Sequence, residues 1–162
     1  MPHESLLLAF SQIGAVFAGF IAIFIALIHH DEAMDKVVAL RARSILHTSV
    51  VTIFSSLLPL VLFAAGFSEA ASWKLSAGAI VLIGLGLSIE GARHQLALSS
   101  EQKKATGLVF NVLSWGLTLV SFALAFSVFI GAAPSGIYPA GIAIVLVVSA
   151  LNFVKVSLEQ WL

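Results

Sequence analysis

SQIGAVFAGFIAIFIAL, residues 11–27, carries no charge and reads as a membrane-spanning helix, yet seven of its seventeen residues are no larger than serine. On a helix turning about 100° per residue, Ser11, Gly14, Ala15, Ala18, Gly19, Ala22 and Ala26 fall within an arc of roughly 140°, and Phe10, Phe17, Phe20 and Phe24 take the opposite side. Lipid offers no hydrophobic reason for helices to associate, so a small face that lets backbones approach supplies the van der Waals contact that does. The small face is therefore expected to pack against another helix, most closely at Gly19. Two uses of it stay open: a seam within the bundle or against a neighbouring subunit, or the wall of an oligomeric pore. In the second case Glu4 and His29, which continue the arc at its two ends, would form rings at the mouths.

The rest of the chain extends this reading. Of 162 residues, 60% are hydrophobic and 10% charged, with a mean hydropathy of +1.08, where soluble domains carry about 25% charged residues. Apolar runs recur at roughly 5–28, 44–66, 73–92, 106–131 and 137–157, each close to the ~20 residues a span needs. The expected fold is all-α: one polytopic domain over 1–162 with about five transmembrane helices. Gly66 and Gly131 read as C-terminal stops, APSGIYP as a tight turn, Trp73 and Tyr138 as anchors at one interface and Trp161 at the other. No stretch outside the spans exceeds roughly twenty residues, so no soluble catalytic domain is expected and the protein is not read as an enzyme.

The first span is not read as a signal peptide, because no Lys or Arg precedes it and positive charge follows it. Lys36, Arg41 and Arg43 follow the first span, Lys74 the second, and Arg93, Lys103 and Lys104 the third; none follows the fourth, and Lys155 lies near the C-terminus. An outside N-terminus puts seven of these eight on the inner side, so the C-terminus is expected in the cytoplasm. HHDEAMDKVVALRARS runs from acidic to basic, as a helix dipole favours, and reads as an extension of the second helix or as an amphipathic helix on the membrane surface. Zero formal net charge and the lack of a basic run set nucleic acid aside. The absence of cysteine excludes thiol nucleophiles, disulfides and thiolate metal sites.

Three further stripes stand out. On the fourth span Gly107, Asn111, Ser114, Thr118, Ser121 and Ala125 share an arc of roughly 80°. The second has Ser44, Thr48, Thr52, Ser55 and Pro59 on one side, with Arg41 just below, and Pro59 leaves the Ser55 carbonyl without its helical donor. The third adds Ala77, Gly84, Ser88 and Gly91. Such faces avoid acyl chains; they serve either interhelical hydrogen bonding and close packing or a hydrated path. Glu90 is the clearest ionisable residue at membrane depth, with Arg93 and His94 one turn away, and reads as a structural ion pair or as an ion or proton site. His29, His30, His47 and His94 share one height, which opens a weaker option of haem or transition-metal binding through His47 and His94, although no cofactor is expected.

QIGAVFAGFIAI, followed by a charged stretch and by SSLLPLVLFAAGFSEAASWKLS, resembles a family of small multi-pass integral membrane proteins of bacteria. The resemblance implies a helical membrane fold in the bacterial inner membrane and no particular activity. From the residues, the leading expectation is a homo-oligomeric, channel-like cell-membrane protein passing small ions or protons. Its pore or gate candidates are Glu4, His29, Glu90, Asn111, Ser114, Thr118, Ser121, Thr52 and Ser55. A non-conducting accessory subunit of a larger membrane complex is the alternative.

Overall fold

The structure, a computed structural model, describes residues 1, 3–28, 36–102 and 107–159. Among them there is no strand. Five helices follow in order: α1 (Glu4–Ile28), α2 (Lys36–Ala64), α3 (Glu69–Leu96), α4 (Leu108–Phe129) and α5 (Tyr138–Glu159), the last entered through a 3-10 turn at Ser135–Ile137. Each is long and apolar enough to cross a membrane. The second starts eight residues before the apolar run does, so the described part of the basic stretch from residue 36 is a continuous extension of α2. Asp31, Glu32 and Asp35 lie outside the described residues.

The helix ends follow from local chemistry. Gly66 and Gly131 adopt φ of +95° and +77°, which costs an L side chain and not glycine. Each turns the chain so that the next N–H bonds back to a terminal carbonyl, Phe67 to Leu62 and Ala132 to Ser127. Ser68 then caps α3 by accepting from the Ala71 N–H. These two short turns put the start of α1, the end of α2, the start of α3, the end of α4 and the start of α5 at one end, here the short-turn end. Leu7, Trp73, Ala77, Ile80, Val128, Tyr138 and Ile142 form its core. At the opposite end, the basic end, Ile21, Ala42, Ile45 and Val156 pack together.

Helices α2, α3, α4 and α5 pack each on the next and close into a four-membered ring, with α5 returning to α2; α1 lies outside, in the groove between α2 and α5. That position corrects the expectation for α1. Its inward residues are Leu7, Phe10, Gly14, Phe17, Ile21 and Phe24, spaced three and four apart. Phe17 and Phe20 meet Phe153 with ring centroids 5.9 and 6.1 Å apart. Of the small face, Gly14 is buried and Ser11 and Ala18 half-buried, whereas Ala15, Gly19, Ala22 and Ala26 are exposed. An outer helix seated in a groove needs large side chains to fill it and one glycine where it crosses its neighbour. That glycine is Gly14, where a Cβ would lie 3.1 Å from the Ser49 carbonyl oxygen; Gly19 has nothing within 4 Å. Trp73 and Tyr138 are also displaced from their expected role. Both are buried, stacked edge-on at 5.3 Å between the helices instead of facing an interface. Trp161 lies outside the described residues.

Candidate functional site

The side chains of a four-helix ring decide whether its middle is filled. Toward the short-turn end they fill it. Toward the basic end α2 contributes Arg41, Ser44, His47 and Thr48, α3 Ser88, Glu90, His94 and Gln95, α4 Asn111, Ser114 and Thr118, and α5 Asn152, and these enclose a cavity of about 160 Å³. Its lining runs along α2 from Arg41 to Val51, about 15 Å at 1.5 Å per residue. Gly84 and Phe122 are at its floor: a Cβ at Gly84 would fall 2.1 Å from the Phe122 ring, so only glycine lets that ring lie where it does.

The three polar stripes therefore turn inward and meet. Hydroxyls on them are held mostly by their own helices: Thr48 donates to the Ser44 carbonyl (2.9 Å), Thr52 to Thr48 (2.8 Å) and Thr118 to Ser114 (2.8 Å). Cross-links between helices are fewer. Thr48 and Ser149 join α2 to α5, Ser121 donates to the Gly141 carbonyl (2.9 Å), and Trp115 Nε1 donates to Gln95 Oε1 (3.1 Å). The Ser114 hydroxyl oxygen is buried with no hydrogen-bond partner among the described residues.

Arg41 is 5% exposed and lies with its guanidinium carbon 6.0 Å from the centre of the Phe110 ring. At the mouth, Arg43 donates through Nη1 to His94 Nε2 (3.0 Å) and through Nη2 to Glu90 Oε1. Glu90 thus finds its main partner on α2, with His94 Nε2 3.9 Å away; Arg93, the neighbour expected from the sequence, is exposed and outside this cluster. All three members of the cluster remain 39 to 48% exposed.

Of the residues singled out from the sequence, Glu90, Asn111, Ser114, Thr118, Gly84, Gly91, His47 and His94 line the cavity. Thr52, Ser55 and Ser121 are buried in the helix packing but do not line it, and Ala77 belongs to the short-turn core. Glu4 does not join them: it is exposed at the short-turn end and pairs with the Met1 amino group at 3.6 Å. His29 lies outside the described residues, and α1 contributes nothing to the cavity wall. Among the described residues no three His, Asp or Glu side chains gather as a metal-ligand set. The buried Arg41 was not singled out as a site from the sequence. Its signal was present in its register, just below the hydroxyl stripe of α2.

The fold and site define a five-helix protein with helices able to cross a membrane and a polar, arginine-bearing cavity inside a four-helix ring, open at one end. Comparison with protein-family models, with curated proteins and with solved structures finds no match to this chain.

Proposed function

We propose that the protein is a channel-like component of a cell membrane that passes a small ion, and that the ion's path starts in this cavity. The observation that carries the reading is the convergence of polar stripes from α2, α3 and α4 on one space within a single chain, beside a buried arginine. Polar and charged groups at membrane depth are expensive and mark ion paths by default. Buried hydroxyls continue past the floor along α2, through Thr52 and Ser55. Arg41, Arg43, Arg93 and Lys155 sit at the basic end and Lys74 at the other, which supports a cytoplasmic mouth and an outside N-terminus. The exposed Ala15, Gly19, Ala22 and Ala26 of α1 favour assembly, with copies of the chain or, in the accessory-subunit reading, with a different membrane protein.

The chain has no cysteine, so the test is direct. Ser114→Cys and Thr118→Cys proteins in liposomes are expected to support ion flux that a small hydrophilic thiol reagent blocks from the basic-end side. Flux indifferent to modification at both positions would remove the cavity from the path. Absence of flux together with co-purification at fixed stoichiometry in another complex would leave the accessory role.

A further inference from the structure

The contacts at the mouth fix the protonation state of His94. Arg43 Nη1 stands 3.0 Å from His94 Nε2, and a guanidinium has donors only. Nε2 must therefore accept, so the imidazole is neutral and carries its proton on Nδ1. The other arm of the same planar fork holds Glu90 Oε1. Arg43 thus ties α2 to two side chains of α3 at once. Glu90 and His94 are four residues apart on α3, and His94 Nε2 lies 3.9 Å from the oxygen that Arg43 holds, so a proton on Nε2 has an acceptor within its own helix. The same proton takes away one of the two acceptors of Arg43 and leaves Nη1 at hydrogen-bond distance from a cation.

These side chains also separate two spaces. Between Ala39 and Leu40 of α2 and Ala97 and Leu98 just past α3 is a second cavity of about 270 Å³, and Leu40, Arg43 and His94 line both it and the cavity inside the ring. The contact between Arg43 and His94 is therefore part of the partition. Among the described residues, α2 brings Arg41, Arg43 and His47 to the inner cavity and α3 brings Glu90 beside His94, while α4 and α5 bring no titratable side chain to it. His94 is 48% exposed, so protons from solution reach it, and histidine is the side chain that changes charge between pH 5 and 8.

We infer that His94 is a proton-operated switch at the mouth: its protonation moves Glu90 from Arg43 to His94, loosens α2 from α3 there and joins the inner cavity to the space behind Leu40. This names the regulation of the path proposed above. It rests on that reading only for the effect of the opening on flux, since the exchange itself can be measured without flux. In the proposed orientation the stimulus is acid on the cytoplasmic side.

The test uses the full chain in a neutral maltoside detergent. Cysteines replacing Ala39 and Ala97, one on each side of the seam, are spin-labelled, and the distance between the labels is measured by pulsed electron paramagnetic resonance at pH 8 and pH 5. The mean distance is expected to lengthen reversibly at pH 5 by about 1–2 Å, the usual size of a helix shift at an interface. His94→Gln keeps an acceptor for Arg43 but takes no proton, and should show the pH 8 distance at both values. His47→Gln should respond as the native background does. No shift in the native background, one that His94→Gln keeps, or one that His47→Gln abolishes overturns the inference. Nitrogen NMR of the native chain labelled at histidine tests the premise without depending on how any variant folds: at pH 8 His94 should carry its proton on Nδ1, and a proton on Nε2 would overturn the inference. A distance response without flux at any pH would overturn conduction alone, and flux without the response would overturn the switch alone.

Discussion

Gly14 and Gly19 lie five residues apart on α1 in opposite surroundings, and exchanging each for alanine measures how this helix is held. A Cβ at Gly14 would sit 3.1 Å from Ile53 Cγ1, 3.1 Å from the Ser49 carbonyl oxygen and 3.3 Å from Thr52 Cβ. The carbonyl is helix backbone, and Ile53 and Thr52 are stiff β-branched side chains, so α1 itself must move away from α2. Overpacking of this kind costs about 1–3 kcal/mol. At Gly19 nothing lies within 4 Å, and alanine only gains helix propensity, about 1 kcal/mol. That gain applies at both positions, so it cancels in the difference. Gly14→Ala is expected to be less stable than Gly19→Ala by about 1–3 kcal/mol, measured as reversible loss of ellipticity when sodium dodecyl sulfate is titrated into a mild detergent. Equal stabilities would refute the seating of α1 on α2 through Gly14. Gly19→Leu extends the experiment: it should leave the isolated chain folded, so any effect on assembly would locate a contact between chains on the outer face of α1.

Tyr138 Oη donates to the Ser55 carbonyl at 2.8 Å, the acceptor that Pro59 deprives of its helical N–H, so Tyr138→Phe should cost about 1–3 kcal/mol. Pro59→Ala in the Tyr138→Phe background returns a donor to that carbonyl and should recover most of the loss; strict additivity of the two would refute the link. Glu90→Gln should change stability by only about 0–1 kcal/mol, since its pair with Arg43 is half-exposed, and a loss several times larger in chemical denaturation would make the cluster structural. Single cysteines at Ser68 and Ser135 should react with an impermeant thiol reagent from outside intact cells and one at Ser100 should not; labelling of Ser100 alone would invert the proposed orientation.

Much of the fold was legible because its causes are local. Apolar length defines the five helices, Gly66 and Gly131 at positive φ end α2 and α4, and a stripe of hydroxyls on an otherwise apolar helix has only one side that tolerates lipid. The stripes of α2 and α4 therefore pointed inward as read. On α1 both sides are apolar, and small or large size alone does not say which of them meets protein; the answer depends on the groove between α2 and α5, which no local pattern describes. The partner of Glu90 was hidden for the same reason. Arg93 and His94 are near in sequence, but the fork that holds the carboxylate comes from Arg43, 47 positions away. Trp73 and Tyr138 were misplaced because an aromatic at a helix end suits a membrane interface and a packed core equally well, and only the neighbouring helices decide.

On the conducting reading, the geometry also says which part of the bundle has to move. The mouth is already open: Arg43, Glu90 and His94 are all substantially exposed, and the cavity behind them reaches Phe122. Glu90, a gate candidate from the sequence, thus guards a mouth that is not shut. Closure lies at the other end, where Trp73 and Tyr138 stack between the helices and Leu7, Ile80, Val128 and Ile142 pack around them. Buried there as well is the Ser56 hydroxyl, with no hydrogen-bond partner among the described residues, an unusual cost for a plug whose only task is packing. Tyr138 joins the two features, since its ring seals the core and its hydroxyl holds the one α2 carbonyl that Pro59 has freed. A proline turn is where a helix bends with the fewest hydrogen bonds to break. Parting α5 from α2 at Tyr138 would therefore release the seal and the bend together, and the Ser56 hydroxyl would meet water as the path opened.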